Sequence, residues 1–298
     1  MPAIAFDPRE TKPIAKLSRR MFLLGSGAAA GAVGFALYSS EIARHEISVV
    51  DQAVAIRRLP PAFHGFRIVQ ISDIHFDEYT EPSFVRGIVE RVNQLAPDLL
   101  LLTGDFVSYG PLPLSFGVAA APRCAEVLRG LACPQRFAVM GNHDTAVGVP
   151  IVIDALSQVQ IPTLLNNYVP IERHGQRLWL CGVADPATSK PDLYYAIPPK
   201  PDGPVILMAH APDFADQVIF HPRGHIVDLM LSGHTHGGQI RLPLLGAFVL
   251  PSGGRKYVEG MFRLEQMQLY VNRGIGTTGV PFRLNCPPEI TLFTLVEG

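Results

Sequence analysis

Two histidines one residue apart follow an apolar run in the last third of the chain. Residues 229–238 read LMLSGHTHGG, which places His234 and His236 in a glycine-flanked turn. Because alternate side chains of an extended backbone point the same way, both imidazoles could face one metal centre from a strand end. A polar turn that closes a buried strand is the simpler interpretation of an isolated H-x-H motif. The other strand ends have to decide between these two interpretations.

Five apolar runs of the chain end in polar residues of one chemical kind. Short β-rich runs predict buried strands, and α/β folds place their sites just beyond the carboxyl ends of such strands. The runs are FRIVQISD (66–73), DLLLLTGD (98–105), RFAVMGNH (136–143), VILMAH (205–210) and DLMLSGH (228–234). The polar residues at or just after their ends are Asp73, His75, Asp105, Asn142, His143, Asp144, His210, His234 and His236.

These polar residues form a coherent set of metal ligands only when they are taken together. Alone, Asp73 could cap a turn, and a single His210 is more often a hydrogen-bonded core residue. Together, and leaving out His143 and Asp144, they offer two carboxylates, an amide oxygen and four imidazoles without a thiolate, which suits Mn²⁺, Fe, Zn²⁺, Co²⁺ or Ni²⁺. Because one ion cannot use so many ligands, the set predicts two divalent ions about 3.5–4 Å apart that share a carboxylate.

The elements that would position these residues alternate between strands and helices. Residues 83–97 place Phe84, Ile88, Val92 and Leu95 on one helical face, and Pro97 ends the helix, so a β-α-β unit begins the domain. Later segments carry no comparable helix and predict a second, more antiparallel sheet; they are RLWLCGVAD (177–185), LYVNRG (269–274) and ITLFTL (290–295). The fold class is therefore α/β, with two packed mixed β-sheets flanked by helices.

The order of the polar motifs resembles a known family. The series D-x-H, G-D, G-N-H-D, H and G-H-x-H over residues 66–298 resembles the calcineurin-like metallophosphoesterase superfamily. Flanking text such as SGHTHGGQIRLP and YVNRGIGTTGVPFR is similar to a bacterial branch of exported or membrane-associated phosphodiesterases, some of which act on the pyrophosphate of UDP-diacylglucosamine. The resemblance implies a four-layer αββα sandwich. One departure is Ser108, which stands where many members carry a second aspartate that supports the metal site from outside.

The resemblance also implies a role for each residue in hydrolysis of a phosphodiester or pyrophosphate bond. Asp105 would bridge two divalent ions, and a hydroxide between them would attack phosphorus in line. His143 would donate a proton to the departing oxygen, with Asp144 orienting the ring. Apart from the resemblance, Arg273 in the stretch NRGIGTTG could contact a phosphate or be a solvated loop residue. The other ligands would divide into Asp73, His75 and His236 for one ion and Asn142, His210 and His234 for the second.

Composition limits the other classes of function. The chain has 298 residues, of which 48% are hydrophobic and 17% are charged, so it can bury a substantial core. A net charge of −1 without a basic block beyond the first twenty residues argues against a nucleic-acid partner. The four cysteines are scattered without a C-x-x-C pair, which argues against a thiolate zinc site and a disulfide framework, although one incidental bridge stays open.

Residues 1–45 are predicted to be a targeting segment, and residues 46–298 the catalytic domain. Arg19–Arg20 between Ser18 and Phe22, followed by an apolar stretch over 21–38, looks like a twin-arginine export signal. That signal implies an export machinery as partner and a periplasmic or cell-envelope location. An ordinary transmembrane helix is the alternative, which about 18 residues barely permit. Because no small-residue cleavage site follows, the segment could remain as an inner-membrane anchor.

The metal-ligand pattern predicts a phosphate ester as the substrate, and one stretch of sequence bears on the groups attached to that phosphate. RLPLLGAFVLP (241–251) directly follows the GHTHGG turn. If this stretch is exposed beside the site, it could contact acyl chains or a membrane surface, which would favour a lipid-linked substrate. A buried β-hairpin within the second sheet is the other interpretation. The functions that remain are a phosphodiesterase or pyrophosphatase, a phosphomonoesterase with the same site, and a non-catalytic binding scaffold, which usually requires lost ligands.

Overall fold

The computed structural model describes residues 19–77 and 79–298, which fall into two units. The described part of the first unit, which extends to Tyr38, is helix α1 (Arg19–Leu37). Among the described residues, no helix combines the length and the apolar character needed to cross a membrane. Ser18 of the predicted export motif lies outside the described residues. The boundary between the units falls inside the predicted segment 1–45, and the extent of that segment stays a prediction.

The second unit, Ser39–Gly298, contains all the described strands and the remaining helices. The strands are β1 (Ser48–Ile56), β2 (Arg67–Ile71), β3 (Leu99–Leu102), β4 (Arg136–Ala138), β5 (Asn167–Arg173), β6 (Gln176–Gly182), β7 (Val205–Met208), β8 (Leu229–Ser232), β9 (Arg241–Leu242), β10 (Gly246–Ala247), β11 (Gly260–Leu264), β12 (Met267–Val271) and β13 (Glu289–Glu297). The helices are α2 (Pro82–Leu95), α3 (Leu114–Leu128), α4 (Asn142–Val147), α5 (Val149–Ser157), α6 (Leu193–Ala196) and α7 (Ala215–Phe220). Short 3₁₀ turns cover Ala43–His45, Pro61–Phe63, Pro212–Phe214, Gly224–Ile226 and His236–Gly238.

Two large mixed sheets organise this unit. The first has the strand order β1-β13-β2-β3-β4, in which β2, β3 and β4 are parallel. The second has the order β11-β12-β8-β7-β6-β5, with parallel central strands and an antiparallel strand at each edge. β9 and β10 form a separate antiparallel hairpin. The strands that precede the predicted ligands are therefore divided between the sheets: β2, β3 and β4 in the first, and β7 and β8 in the second.

The predicted assignment of the late strands to sheets was partly wrong. The segment 290–295 lies in β13, which belongs to the first sheet and runs between β1 and β2. The second sheet is also less antiparallel than predicted, because β6, β7, β8 and β12 run parallel. Apolar alternation identifies a strand, but the strand's partners are chosen by contacts between residues far apart in the chain. β13 pairs with β1 over nine residue positions, from Ser48 opposite Glu289 to Ile56 opposite Glu297.

Three apolar clusters confirm the four-layer αββα arrangement. Because strand side chains alternate, Leu99 and Leu101 of β3 face the second sheet, whereas Leu100 and Leu102 face helices α2, α3 and α5. The cluster between the sheets also contains Met208 and Leu231. The third cluster covers the outer face of the second sheet with α6 and α7. This burial on both faces explains why the parallel strands read as continuous apolar runs.

The predicted β-α-β crossover is present as β2-α2-β3. Helix α2 starts at Pro82, where a proline fits because its missing N–H would have no helical partner. Ile88 and Val92 are buried as predicted, and Phe84 and Leu95 pack partly buried against the same cluster. The helix ends at Leu95 and is capped by Ala96, whose left-handed backbone precedes Pro97.

Candidate metal centre

The carboxyl ends of strands from both sheets meet at one place. Backbone hydrogen bonds join the loops that follow them: the N–H of Asp73 donates to the carbonyl of Gly104 (2.9 Å), and that of Gly233 to the carbonyl of His210 (3.0 Å). The buried side chain of Gln70 connects the sheets, because its Nε2 donates to Thr103 Oγ1 and to the Ser232 carbonyl, both at 2.9 Å. These bonds hold the strand ends of β2, β3, β7 and β8 in register with one another.

The predicted ligands from all these strand ends converge on Asp105. Its Oδ2 lies 3.1 Å from His210 Nε2 and 3.5 Å from His75 Nε2. Asp73 Oδ1 lies 3.5 Å from His236 Nε2 and 4.0 Å from His210 Nε2. The donor atoms lie within 4.8 Å of one another in three groups, which are Asp73, His75 and His236; His75, Asp105 and His143; and Asp105, His210 and His234.

The far nitrogens of His210 and His234 are each held by a backbone carbonyl oxygen, which leaves the near nitrogen turned to the cluster. His210 Nδ1 donates to the Thr103 carbonyl (2.7 Å), and His234 Nε2 donates to the Ser252 carbonyl (2.8 Å). A carbonyl can only accept, so these two bonds fix which nitrogen carries the proton. Histidine ligands of metals are oriented in this way by a second hydrogen bond. His234 therefore presents Nδ1 to the cluster, whereas His210 presents Nε2.

Burial keeps most of the imidazoles neutral, as metal ligation requires. Burial, helped by the neighbouring His143, lowers the pKa of His75 to about 3. The pKa values of His234 and His236 are likewise lowered, chiefly by burial. His210 is the exception: burial lowers its pKa, but the charge and hydrogen bond of Asp105, together with the charge of Asp73, raise it well above the ordinary value.

The carboxylates and the amide of the cluster fit divalent cations. Asp73 and Asp105 are 0% and 1% exposed, and buried carboxylates need a compensating cation. Burial raises the pKa of Asp73 to about 6. Burial would also raise the pKa of Asp105, but the charge and hydrogen bond of His210, together with the charges of His143 and His75, hold it well below its ordinary value. His75 Nε2 and Asn142 Oδ1 are buried without a hydrogen-bond partner, which is rare for polar atoms and expected of ligand atoms.

Several of the candidate ligands have an uncommon backbone conformation. A positive φ occurs at Asp73 (50°), His75 (47°), Asp105 (54°), His234 (72°) and His236 (50°). This left-handed region costs a non-glycine residue roughly 1–2 kcal/mol, and such conformations cluster at functional sites. The neighbouring glycine at position 104, with φ +98°, allows a close approach, because a Cβ there would lie 2.7 Å from the nitrogen of residue 141. The strained backbone at these positions therefore orients the side chains toward the cluster.

A pocket with a cavity volume of about 340 Å³ opens above the cluster. Its lining combines cluster residues, including His143, with apolar side chains of Ile240, Phe248, Val249 and Val280. Phe248 and Val249, which directly follow the hairpin β9–β10, belong to this apolar wall. The hairpin and these residues reach solvent: Leu244 is 107% exposed and Phe248 77% exposed. The stretch 241–251 is thus an exposed hairpin outside the second sheet, and the prediction of a buried hairpin within that sheet is wrong.

Residues 66–238, more than half of the chain, match the family model described as calcineurin-like phosphoesterase. The chain belongs to this family. It is 33% identical to the metallophosphoesterase YkuE of Bacillus subtilis, over 94% of this chain and 98% of that protein. It is 30% identical to the phosphodiesterase YaeI of Escherichia coli, over 94% of this chain and 100% of that protein. It is also 30% identical to the UDP-2,3-diacylglucosamine pyrophosphatase LpxG of Chlamydia trachomatis, over 78% of this chain and 85% of that protein.

Within this phosphoesterase, Asp144 does not have the contact predicted for it. The backbone N–H of Tyr109, rather than Asp144, holds the ring of His143, at 2.9 Å from Nδ1. The Asp144 carboxylate instead accepts backbone N–H groups of Asp105 (2.8 Å), Phe106 (2.9 Å) and Gly141 (3.0 Å). A fully buried carboxylate needs several donors, and the two ligand loops supply them. Asp144 therefore joins the loop that carries Asp105 to the start of helix α4.

Arg273 also lies elsewhere than the predicted phosphate contact requires. Its Nε is 2.6 Å from Oε2 of Glu289, a residue that is 2% exposed. Arg273 is not one of the described residues that line the pocket. The buried carboxylate of Glu289 needs a cationic partner, and Arg273 supplies it.

Sequence reasoning missed residues that support the metalloenzyme site from behind. Arg283 is fully buried, donates to backbone carbonyls such as those of Gly274 and Cys286, and lies 3.4 Å from His236 Nδ1. Burial lowers its pKa to about 10, so it stays charged near neutral pH. Because arginine is seldom buried, there was no reason in the sequence to predict that Arg283 would lie buried beside the cluster. Ser252 contributes only its carbonyl, and a backbone contribution leaves no signal in residue type.

Proposed function

We propose that this protein hydrolyses phosphodiester bonds with two bound divalent metal ions. Asp73, His75 and His236 would hold one ion, Asn142, His210 and His234 would hold the other, and Asp105 would bridge them. The observation that carries the proposal is the position of one Asp105 oxygen 3.5 Å from His75 and 3.1 Å from His210. When bound, two such ions activate water as a nucleophile and neutralise charge on the phosphoryl oxygens.

His143 is the proposed proton donor to the departing oxygen. It lines the pocket, and its ring lies 4.6 Å from that of His75, measured between centroids. The N–H of Tyr109 donates to Nδ1, so the proton of the neutral ring is on Nε2. Its own backbone N–H donates to Asp105 Oδ1 at 2.9 Å, which fixes the histidine relative to the bridging carboxylate. This arrangement aims the Nε2 proton at the departing oxygen. As a proton donor the ring would act in its protonated form, giving the Nε2 proton to that oxygen as the phosphorus–oxygen bond breaks and being left as neutral imidazole.

The charge of the pocket favours a diester over a monoester. None of the described residues that line it is lysine or arginine. A phosphomonoester near neutral pH carries up to two negative charges and a diester carries one, so the monoester needs more positive charge from the protein. Pyrophosphate bonds are a second candidate, because the relative LpxG is named as a pyrophosphatase. The phosphomonoesterase alternative would depend on the metal ions alone for charge.

The apolar wall of the pocket supports a lipid-linked substrate. Phe248 and Val249 line the pocket and are also 77% and 71% exposed, so the wall continues onto the surface. Leu244 and Leu245, at the tip of the hairpin, are 107% and 79% exposed. A contiguous exposed apolar patch at the mouth of a pocket is typical of a surface that binds an apolar ligand or a membrane. We therefore propose that acyl chains of an envelope phosphodiester contact this wall while the phosphate reaches the metal centre.

A substrate comparison tests both parts of this proposal. We expect kcat/KM for an aryl phosphodiester to exceed that for the matching monoester at least tenfold, roughly the cost of one unmatched charge. Phe248→Ala should raise KM for a long-chain diester about tenfold or more, because burial of a phenylalanine contributes roughly 1.5–3 kcal/mol. It should leave KM for a methyl aryl diester nearly unchanged. Phe220→Ala, 82% exposed on α7, is the matched control.

The results would separate the alternatives. Faster hydrolysis of the monoester would assign a phosphomonoesterase, and faster hydrolysis of a pyrophosphate would assign a pyrophosphatase. Diester hydrolysis that is unaffected by Phe248→Ala would retain the enzymatic proposal and remove the lipid-linked substrate. No turnover of any ester by metal-loaded protein would favour the binding scaffold.

We further propose that residues 1–45 direct export by the twin-arginine route to the periplasm or cell envelope. The support is the pair Arg19–Arg20 and the apolar stretch over 21–38. Replacing both arginines with lysine in the full chain should leave the protein in the cytoplasmic fraction. The second consecutive pair, Arg57–Arg58 after β1, changed in the same way, is the control. Normal export of the chain in which the first pair is replaced would contradict the proposal.

A further inference from the structure

We infer that Ser108 and Asp77 position His75 in the metal centre, through a hydroxyl relay that stands where many family members carry a second aspartate. The inference rests on the proposed function, since it takes His75 as a metal ligand. It concerns neither the ligands nor the substrate, but the side chains that hold one ligand in its binding form. Both are positioning residues, because they act through His75.

The contacts define a chain of three side chains. His75 Nδ1 lies 3.2 Å from Ser108 Oγ, and Ser108 Oγ lies 2.6 Å from Asp77 Oδ2. A carboxylate can only accept, so the hydroxyl proton points to Asp77 and the hydroxyl oxygen accepts from His75 Nδ1–H. The proton of the imidazole is thereby placed on Nδ1. His75 Nε2 is left as a bare donor atom, buried and without a hydrogen-bond partner.

Asp77 is fixed independently of the relay. Its Oδ1 accepts the backbone N–H groups of Tyr79 (2.7 Å) and Thr80 (2.9 Å), which is the hydrogen bonding of an Asx turn. The turn therefore fixes the Asp77 carboxylate independently of its contact with Ser108. Both oxygens have distinct tasks, since Oδ1 closes the turn and Oδ2 orients the hydroxyl of Ser108.

The relay moves a negative charge one hydrogen bond farther from the imidazole than a direct aspartate would. A carboxylate that contacts a histidine ligand fixes its orientation and also raises its basicity. A serine in between keeps the orientation and weakens the electronic effect. The sequence departure at Ser108 thus leaves the outer support of His75 in place, supplied by D-x-H-x-D within residues 73–77.

Asp77→Asn separates this positioning role from a merely structural one. The asparagine Oδ1 can still accept from Tyr79 and Thr80, so the turn is retained. Its Nδ2 would donate to Ser108 Oγ, and the hydroxyl proton would then turn to His75 Nδ1. That reversal would place the imidazole proton on Nε2, where it blocks metal ligation.

The experiment measures Mn²⁺ binding to the full chain by calorimetric titration after removal of bound metal. We expect Asp77→Asn and Ser108→Ala each to weaken one of two Mn²⁺ sites about 10–100-fold, the usual effect of losing such outer support, with the other site unchanged. The double variant should be no weaker than Ser108→Ala alone, because both changes break the same chain of bonds. Ser108→Asp combined with Asp77→Asn should restore binding, since it puts a carboxylate directly on His75.

Controls and outcomes decide between the explanations. Asp154→Asn and Ser157→Ala, exposed on α5, should bind Mn²⁺ like the wild type. Wild-type affinity in Asp77→Asn, or additive losses in the double variant, would overturn the relay while leaving the proposed function intact. No Mn²⁺ binding by the wild-type chain would overturn the two-metal proposal and the relay together. If Ser108→Ala fails to fold, the near-isosteric Asp77→Asn still decides the question.

Discussion

Replacing Asp105 with asparagine should remove metal from both sites and reduce turnover of an aryl phosphodiester at least about 10³-fold. Bound ions supply several kcal/mol of transition-state stabilisation, and each 1.36 kcal/mol corresponds to a factor of ten. One Asp105 oxygen lies within 3.5 Å of His75 Nε2 and 3.1 Å of His210 Nε2, so both proposed ions depend on it. Asparagine keeps the shape but loses the charge. The measurements are metal content after dialysis and kcat/KM.

The design limits the change to the charge of one side chain. The asparagine at position 105 can still accept the backbone N–H of His143 through Oδ1, so the contact with the start of helix α4 is preserved. Asp51→Asn, exposed on β1, is the matched control and should behave like the wild type. A variant that retains both ions and most of its turnover would show that Asp105 is not the bridging ligand.

Replacing His143 with alanine should slow hydrolysis of a diester with an alkyl leaving group by about 10²–10⁴-fold and leave metal content unchanged. That range is the usual contribution of a proton donor, and it should shrink for a nitrophenyl diester, whose leaving oxygen needs no proton. The substitution preserves the backbone N–H that donates to Asp105. Turnover of the two substrates by wild type and variant, with metal analysis of each, is the measurement.

The alternative role of His143 is that of a ligand, because its ring also lies within 4.8 Å of donor atoms of His75 and Asp105. Loss of a metal ion from His143→Ala would assign that role and remove the proton-donor assignment. An equal loss of rate for both leaving groups, with metal retained, would indicate that His143 binds the phosphoryl group instead. His225→Ala, an exposed histidine remote from the pocket lining, is the control.

The sequence predicted the layered fold well, because apolar periodicity is local. The five ligand-bearing runs became strands β2, β3, β4, β7 and β8, and the crossover helix α2 buried its predicted face. The sheet assignment of β13 could not be predicted, because a strand that is buried over most of its length fits the middle of either sheet. Its position was set by pairing with β1 and β2, at opposite ends of the chain from it.

The candidate site divides in the same way. The sequence predicted seven donors, and the structure brings six of them into groups whose donor atoms lie within 4.8 Å of one another. The seventh, Asn142, lines the same pocket, and the metal-binding roles of all seven stay predictions. The sequence did not identify that Tyr109 rather than Asp144 holds His143, or that Arg273 pairs with Glu289. Those contacts depend on where backbone N–H groups and buried charges fall after folding.

The sequence by itself determined the chemistry of this protein: its donor atoms, their order along the chain and the family that shares them. Side-chain identity carries that information, and it is complete before folding. The tertiary structure decided how the donor side chains are oriented. Left-handed backbone does so at residues such as His75 and His234, and hydrogen bonds to the carbonyls of Thr103 and Ser252 orient the rings of His210 and His234. The orientation of a donor depends on contacts between segments that are distant in the chain. Thr103 and His210, for example, meet only when both sheets have packed, so no local sequence pattern encodes the orientation of His210.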